Sequence, residues 1–415
     1  MTKRVLATIS VVSLSALALT GCGADDSGSE ASKEVTVWMY PVIPDEERSA
    51  EFWSGVEKDF EAAHKGIDLT IELQPWDNRD EKIATAIASG TGPDLVLLGA
   101  DQALNYVEIG GLKPVTDDID DIDNFLASPL DAVTFDGDVY GVPIYQTATT
   151  VAYNKALFEA AGVDELPATW SEVLAAAPML AEQGVAIFDY SGSPELTLNL
   201  SFYPLLWQAG GSVFTEDGTD IAFDGKEGVA ALQFLLDLQA VGGLPTDAAT
   251  KNNAVEGGPL ALGSAAMGSV LTQPQVAQMQ AALGEDAVVV GAPLKGREQV
   301  AYGTPGVLSL TTVSKDDAAA LTAANFIASP AVAHELNIQA GNYPVRKDVE
   351  EPADDETTLA FVDALSFASP GEIFPNARQV MAVLAPHIQA ALQGSVSAEQ
   401  ALADAAAEAR TILGK

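Results

Sequence analysis

Apolar positions along this chain switch period in a regular order. Val35 to Tyr40 is a continuous β-type run. From Ser49 to His64 the apolar residues Phe52, Trp53, Val56, Phe60 and Ala63 fall at helical spacing, and Gly66 supplies a stop. Ile67, Leu69, Ile71 and Leu73 then alternate with polar residues, as on a half-buried strand. Ile83, Ala86 and Ile87 predict a short helix ending at Gly90, and Leu95 to Leu98 a buried strand. Strand, helix, strand, helix, strand is the order of a parallel sheet covered on both faces. Ligands of such sheets sit beyond the carboxyl ends of the strands. Those ends are Tyr40-Pro41, Gln74 to Asp77, and Gly99 to Gln102.

The middle of the chain continues the pattern. Asp136-Gly137-Asp138 is a tight turn, Val139 to Tyr153 is mostly β-type, and a helix starts at Asn154 and stops at Gly162. Thr169 and Glu172 form a capping box for the next helix, through Glu182. Val185 to Tyr190 predicts a strand, Ser201 to Ala209 a helix ended by Gly210-Gly211, and Lys226 to Ala240 a long helix. Ser314 is the expected cap of a helix through Ile327, and Ser329-Pro330 opens another that Gly341 stops. Ser397 and Gln400 cap a last helix, whose buried face is Leu402, Ala405, Ala409, Ile412 and Leu413.

The length, 415 residues with 48% hydrophobic content, favours at least two domains. Lys3 and Arg4 precede an apolar run from Val5 to Leu19, too short for a comfortable membrane span. Leu19-Thr20-Gly21-Cys22 follows, resembling a bacterial lipobox, and Cys22 is the one cysteine of the chain. Residues 1–21 therefore read as a signal peptide, with diacylation of Cys22. The polar stretch Gly23 to Lys33 reads as a tether reaching about 18 Å. The 59 acids against 20 basic residues give a net charge of −39. That balance makes nucleic acid an improbable partner, because phosphate binding needs basic patches. The acid-rich Thr116 to Asn124 lacks the glycine and distal glutamate of a calcium loop and reads as a solvated loop.

Three segments in order carry a family likeness: Tyr140-Gly-Val-Pro143, then Tyr153-Asn-Lys-x-Leu-Phe-Glu-x-Ala-Gly162, then Pro167-x-Thr-Trp-x-Glu172. With Pro259 to Met267 (PLALGSAAM) and Tyr343-Pro-Val-Arg346, the chain resembles the extracellular solute-binding proteins of ABC importers, the maltose-binding-like carbohydrate family. The resemblance spans residues 35 to 413. It implies a two-lobed periplasmic-binding-protein-like α/β fold, each lobe a mostly parallel sheet flanked by helices. The expected lobes are 35–146 plus 307–342, and 147–306 plus 343–415, after a lipidated tether at 22–34. The first crossing falls near Ile144 to Thr149, the second at Tyr302 to Gly306 and the third at Tyr343 to Arg346. The family's place for a lipoprotein is the outer face of the cytoplasmic membrane, held by the lipid alone. The implied partners are a carbohydrate ligand and the permease subunits of a transporter, and the implied state is a monomer.

A sugar needs aromatic rings against its C–H faces and planar polar groups at its hydroxyl edge. Strand ends and the family pattern together nominate Tyr40, Trp76, Asp101, Tyr145, Gln146, Asn199, Tyr203, Gln273, Tyr302, Arg346 and Glu372. The loop after Met267 reads GSVLTQPQV, without the tryptophan common there in the family, which argues against a long linear glucan. Catalytic chemistry finds little support. The three histidines, His64, His334 and His387, lie in separate segments without metal-ligand spacing, and neither a nucleophile elbow nor a phosphate loop is present. No cofactor or metal is expected. The alternatives are a receptor of the same fold for a polyamine or glycerol phosphate, and a surface glycan-binding lipoprotein without a transporter.

Overall fold

The computed structural model describes residues 32–415. The expected signal peptide, its cleavage site and Cys22 lie outside the described residues. In chain order the first elements are β1 (Lys33–Met39), α1 (Glu46–Ala63), β2 (Ile67–Leu73), α2 (Arg79–Ser89), β3 (Leu95–Gly99) and α3 (Ala100–Glu108). Next come β4 (Val142–Gln146), β5 (Thr150–Asn154), α4 (Trp170–Ala181), β6 (Ala186–Phe188), α5 (Tyr203–Gln208), α6 (Lys226–Ala240), β7 (Ala265–Leu271) and β8 (Val288–Gly291). The chain ends with β9 (Pro305–Leu310), α7 (Asp317–Ile327), α8 (Pro330–Ala340), α9 (Ala377–Leu392) and α10 (Ala398–Ile412).

Two sheets organise the molecule. The first has the order β2-β1-β3-β9-β4 and the second the order β8-β5-β7-β6. β1 runs parallel to β2 and β3, as the alternating pattern predicts. β9 is antiparallel to both β3 and β4, and β5 is antiparallel to both β7 and β8. Four of the five strands in the first sheet and three of the four in the second run the same way, so each sheet is mostly parallel as expected, with one antiparallel strand: β9 in the first and β5 in the second. The strands that carry the chain between lobes enter against the direction of the strands already there, and no local pattern encodes that.

The first core joins Val37, Trp53, Phe60, Leu97 and Ile144 with Leu308, Leu321 and Leu336. Helices α7 and α8 pack here although they follow the second sheet in the chain. A second core joins Val173, Phe202, Leu206 and Leu235 with Val380, Leu384 and Leu402. A smaller cluster around Met279, Tyr343 and Phe361 covers the other face of the second sheet. Each fully buried Leu or Phe in these cores stabilises by about 1.5–3 kcal/mol.

Local signals place most helix starts. Asp45 caps α1 by accepting from Arg48 N at 2.8 Å, and the Thr169/Glu172 capping box opens α4. Ser397 caps α10 as expected. The cap of α7 is Asp316, accepting from Ala319 N at 3.0 Å, and not Ser314. Two further boundaries move. β1 begins at Lys33, paired with Ile67, so the expected tether is shorter by two residues. At the third crossing Val345 still packs in the first core and Lys347 N donates to Asn124 O at 2.7 Å.

Two crossings run side by side. Thr147 N donates to Thr304 O at 3.0 Å and Thr149 N to Tyr302 O at 2.9 Å. Gln146 exchanges both backbone bonds with Tyr343, tying in the third. Among the described residues no helix is long and apolar enough to cross a membrane.

Candidate functional site

The carboxyl ends of β1, β2 and β3 face the second lobe, and the first-lobe wall is built there. Tyr40, next after β1, is buried, and its ring stacks on Trp76 at 4.9 Å between centroids. Arg79 lies over the Tyr40 ring at 4.1 Å and anchors itself by donating to Leu97 O. The indole of Trp76 stays 48% exposed, so it offers an open aromatic face. Asp80 and Asp101 each stand second in their helices, α2 and α3, where the positive end of the helix dipole favours a carboxylate. Gln102 Nε2 holds Asp80 at 2.5 Å. Gly99 leaves room for the Asp101 carboxylate, because a Cβ there would lie 3.1 Å from Oδ1.

The second-lobe wall is buried and mostly neutral. Asn199 Nδ2 donates to Asp101 Oδ2 at 3.1 Å across the lobes. Glu372 accepts from Trp207 Nε1 at 2.8 Å and from Val213 N at 3.2 Å. Burial raises the Glu372 carboxyl above its usual range against those two bonds. Burial also lifts the Tyr203 phenol far above its usual value, reinforced by the Glu372 charge. Arg378, second in α9, donates from Nε to Asp80 at 2.8 Å and from Nη1 to Asp101 at 3.3 Å. Burial opposes its charge, but the two carboxylates outweigh burial and hold it protonated.

Two polar atoms at this corner have no partner: Asn199 Oδ1, in a residue 1% exposed, and Tyr203 Oη, in a residue 0% exposed. Buried groups of this kind are normally satisfied, so each marks a place for a hydrogen-bonding guest or water. Between the walls lie the crossing tyrosines. Tyr145 rests on Gly306, where a Cβ would come within 2.2 Å of its Cζ. Burial pushes the Tyr145 phenol up to about 12, against the Arg79 charge. Burial likewise raises Tyr302, with the Asp101 charge adding to it. Beside this corner a polar cavity of about 30 Å³ opens at the carboxyl ends of β6 and β7, lined by Asp189, Tyr190, Ser201 and Ser269.

Of the sequence candidates, Tyr40, Trp76, Asp101, Asn199, Tyr203, Tyr302 and Glu372 gather along this cleft, with Tyr145 beneath. Three do not. Gln146 Nε2 donates to Pro344 O at 2.6 Å and serves the crossing. Gln273 accepts from Tyr343 Oη at 2.5 Å and donates to Thr358 at 2.8 Å, so both ends of its amide are used. Arg346 was expected to face the cleft. It pairs with both oxygens of Asp348 at 2.9 Å and lies 4.7 Å over the Phe125 ring, as a strut of the first lobe. Sequence reasoning missed Arg79, Asp80 and Arg378. Arg79 and Arg378 left a signal, each a cation in the first turn of a helix, where the dipole disfavours one. Among the described residues no cluster of three or more metal-ligating side chains occurs.

Two α/β lobes, joined by three adjacent crossings and facing each other across a polar and aromatic cleft, define the two-lobed binding-protein fold. The model of the bacterial extracellular solute-binding protein family matches residues 44–334, and the chain belongs to that family. Its members bind a solute and do not convert it, so this chain is a binding protein, not an enzyme. A binding protein of Brucella abortus is 31% identical over 175 residues, 41% of this chain and 43% of the relative. An arabinooligosaccharide-binding protein of Halalkalibacterium halodurans is 29% identical over 176 residues, 41% of this chain and 39% of the relative. The alignments thus span less than half the length of these curated relatives. The solved structure of an ABC transporter solute-binding protein from Thermotoga lettingae, bound with α-D-tagatose, is 25% identical with a TM-score of 0.79, over 92% of this chain and 100% of that one.

Proposed function

We propose that this protein is the lipid-anchored substrate-binding component of an ABC importer. It captures a mono- or oligosaccharide between its lobes and hands it to the membrane permease. The observation that carries the reading is the pair of buried, unpartnered atoms Asn199 Oδ1 and Tyr203 Oη beside Asp101. A carbonyl oxygen, a phenol and a carboxylate accept, donate and accept, which suits the edge of a polyol. The exposed Trp76 face and the Tyr302 ring suit its C–H faces. The sugars bound by the Halalkalibacterium and Thermotoga proteins support the class of ligand. The lobes follow the expected division, except that the first takes in Lys33, Pro305 and the third crossing through Lys347, and the two are hinged at the crossings. Cys22 carries the lipid.

Tryptophan fluorescence and melting temperature across sugars, polyols, polyamines and phosphate esters test the reading. A ligand at a hundred times its dissociation constant adds about 2.7 kcal/mol of stability. A sugar response that disappears in Asp101→Ala is the expected result. A response to polyamines or phosphate esters alone overturns the sugar assignment and leaves the binding-protein fold intact. Partition into detergent that is lost in Cys22→Ser tests the anchor.

A further inference from the structure

We propose that Arg378 is the positioning residue that closes the two lobes on each other, through one guanidinium shared by two carboxylates of the opposite lobe. Arg378 heads α9, whose Val380 and Leu384 belong to the second core. Asp80 and Asp101 head α2 and α3, whose Ile83, Ala100 and Ala103 belong to the first. The guanidinium reaches Asp80 at 2.8 Å and Asp101 at 3.3 Å. Asp101 also holds Asn199 of the second lobe at 3.1 Å. Three charged or polar contacts therefore converge from one lobe onto two side chains of the other.

Independent features point to the same corner. Arg378 lies in a helix first turn with no acid, so its charge opposes the helix dipole and does nothing for the helix itself. A residue that breaks a local rule without local benefit marks a position set by something across space. Among the described residues four non-glycine positions have positive φ, and two of them, Asn78 and Asn376, immediately precede α2 and α9. Strain of this kind collects where a geometry is held for function. The side chains are 5% exposed at Asp101 and 25% at Arg378, so solvent screens this pair less than it screens a surface pair. Gly371 packs in the same corner, where a Cβ would lie 3.2 Å from Asn199 Oδ1 and 3.5 Å from Asp101 Cβ.

Closure is then a property of the chain itself. A guest biases an equilibrium that Arg378 already favours, and it is not the sole link between lobes. The inference deepens the binding reading above, since Asp101 serves both, but its test needs no sugar.

The test compares the purified protein with Arg378→Met, Arg378→Lys and Asp80→Asn, by small-angle scattering and backbone hydrogen exchange in sugar-free buffer. Expected are a larger radius of gyration for Arg378→Met and about tenfold or faster exchange at 198–200 and 369–372. Arg378→Lys recovers part of both, and Asp80→Asn shifts both in the same direction by less. An unchanged radius and unchanged protection in Arg378→Met overturn the proposal. If that variant loses its circular dichroism, Asp80→Asn decides alone, because the exposed amide keeps the Gln102 contact. An opened variant of a protein that binds no sugar leaves the closure role standing and sinks the sugar reading. Sugar binding with no opening does the reverse.

Discussion

The two walls of the cleft meet the same space with different chemistry. The first-lobe wall is charged and stacked: Trp76, Tyr40 and Arg79 form one packed group, and Asp80 and Asp101 lie at helix N-termini. The second-lobe wall is buried and mainly neutral, with Trp207, Tyr203 and Asn199 arranged around a desolvated Glu372. Its one cation, Arg378, reaches across to the acids opposite. A wall whose carboxylates are already oriented by helix ends and whose rings are stacked, with Arg79 Nε its unpartnered buried atom, changes little when the cleft closes. A wall with unpartnered buried atoms gains most from a guest. The first lobe is thereby suited to catch a ligand and the second to discriminate among ligands.

Substitutions can break this comparison, beginning with the largest effect. Gly306→Val drives a side chain into Tyr145 and should destabilise the protein by about 3 kcal/mol, read as a lower denaturant midpoint. Asp101→Ala removes the acceptor shared by Asn199 and Arg378, and should weaken sugar binding by about thirtyfold or more in calorimetry. Trp76→Ala should weaken binding by about tenfold while leaving the melting temperature nearly unchanged, because the indole is half exposed. A loss of stability as large as the loss of affinity would make Trp76 a packing residue instead. Asn376→Ala, in left-handed backbone, should lower stability by about 1 kcal/mol, whereas Asn376→Gly should not.

The subtlest test concerns pH. Glu372 has a folded-state pKa raised above its ordinary 4.5, so the native state binds its proton more tightly than the unfolded state does. Stability should therefore fall as pH rises from 4.5 through that raised value, and the loss is complete above it. Glu372→Gln, which keeps an acceptor for Trp207, should flatten this part of the stability curve relative to the parent. An identical curve would place the charge of Glu372 in water, contrary to the second-lobe picture.

Much of the fold was legible because it depends on local signals. The periods of α1 and β2, the stop at Gly66, and the caps at Thr169 and Ser397 need only neighbouring residues. Strand ends likewise pointed to Tyr40, Trp76 and Asp101 before any contact was known. Ser314 misled because Asp316, two residues on, competes for the same role with a carboxylate. Arg346 misled because family order placed it near a crossing, while its partners Asp348 and Phe125 are set by packing.

What the sequence alone determined is therefore most elements of the first half and the helices after β9 through α8 and at the C-terminus, the existence of separate lobes, and the first-lobe edge of the cleft; α9 and strands β7 to β9 went unread. Each follows from apolar spacing and turn chemistry over a few residues. The tertiary structure decided the antiparallel entry of β9 and β5, the removal of Gln273 and Arg346 from the cleft, and the meeting of Arg378 with Asp80 and Asp101. Those partners lie 298 and 277 residues apart along the chain. Charge carries no periodicity to announce such a pair, so only the folding of both cores brings it within hydrogen-bond reach.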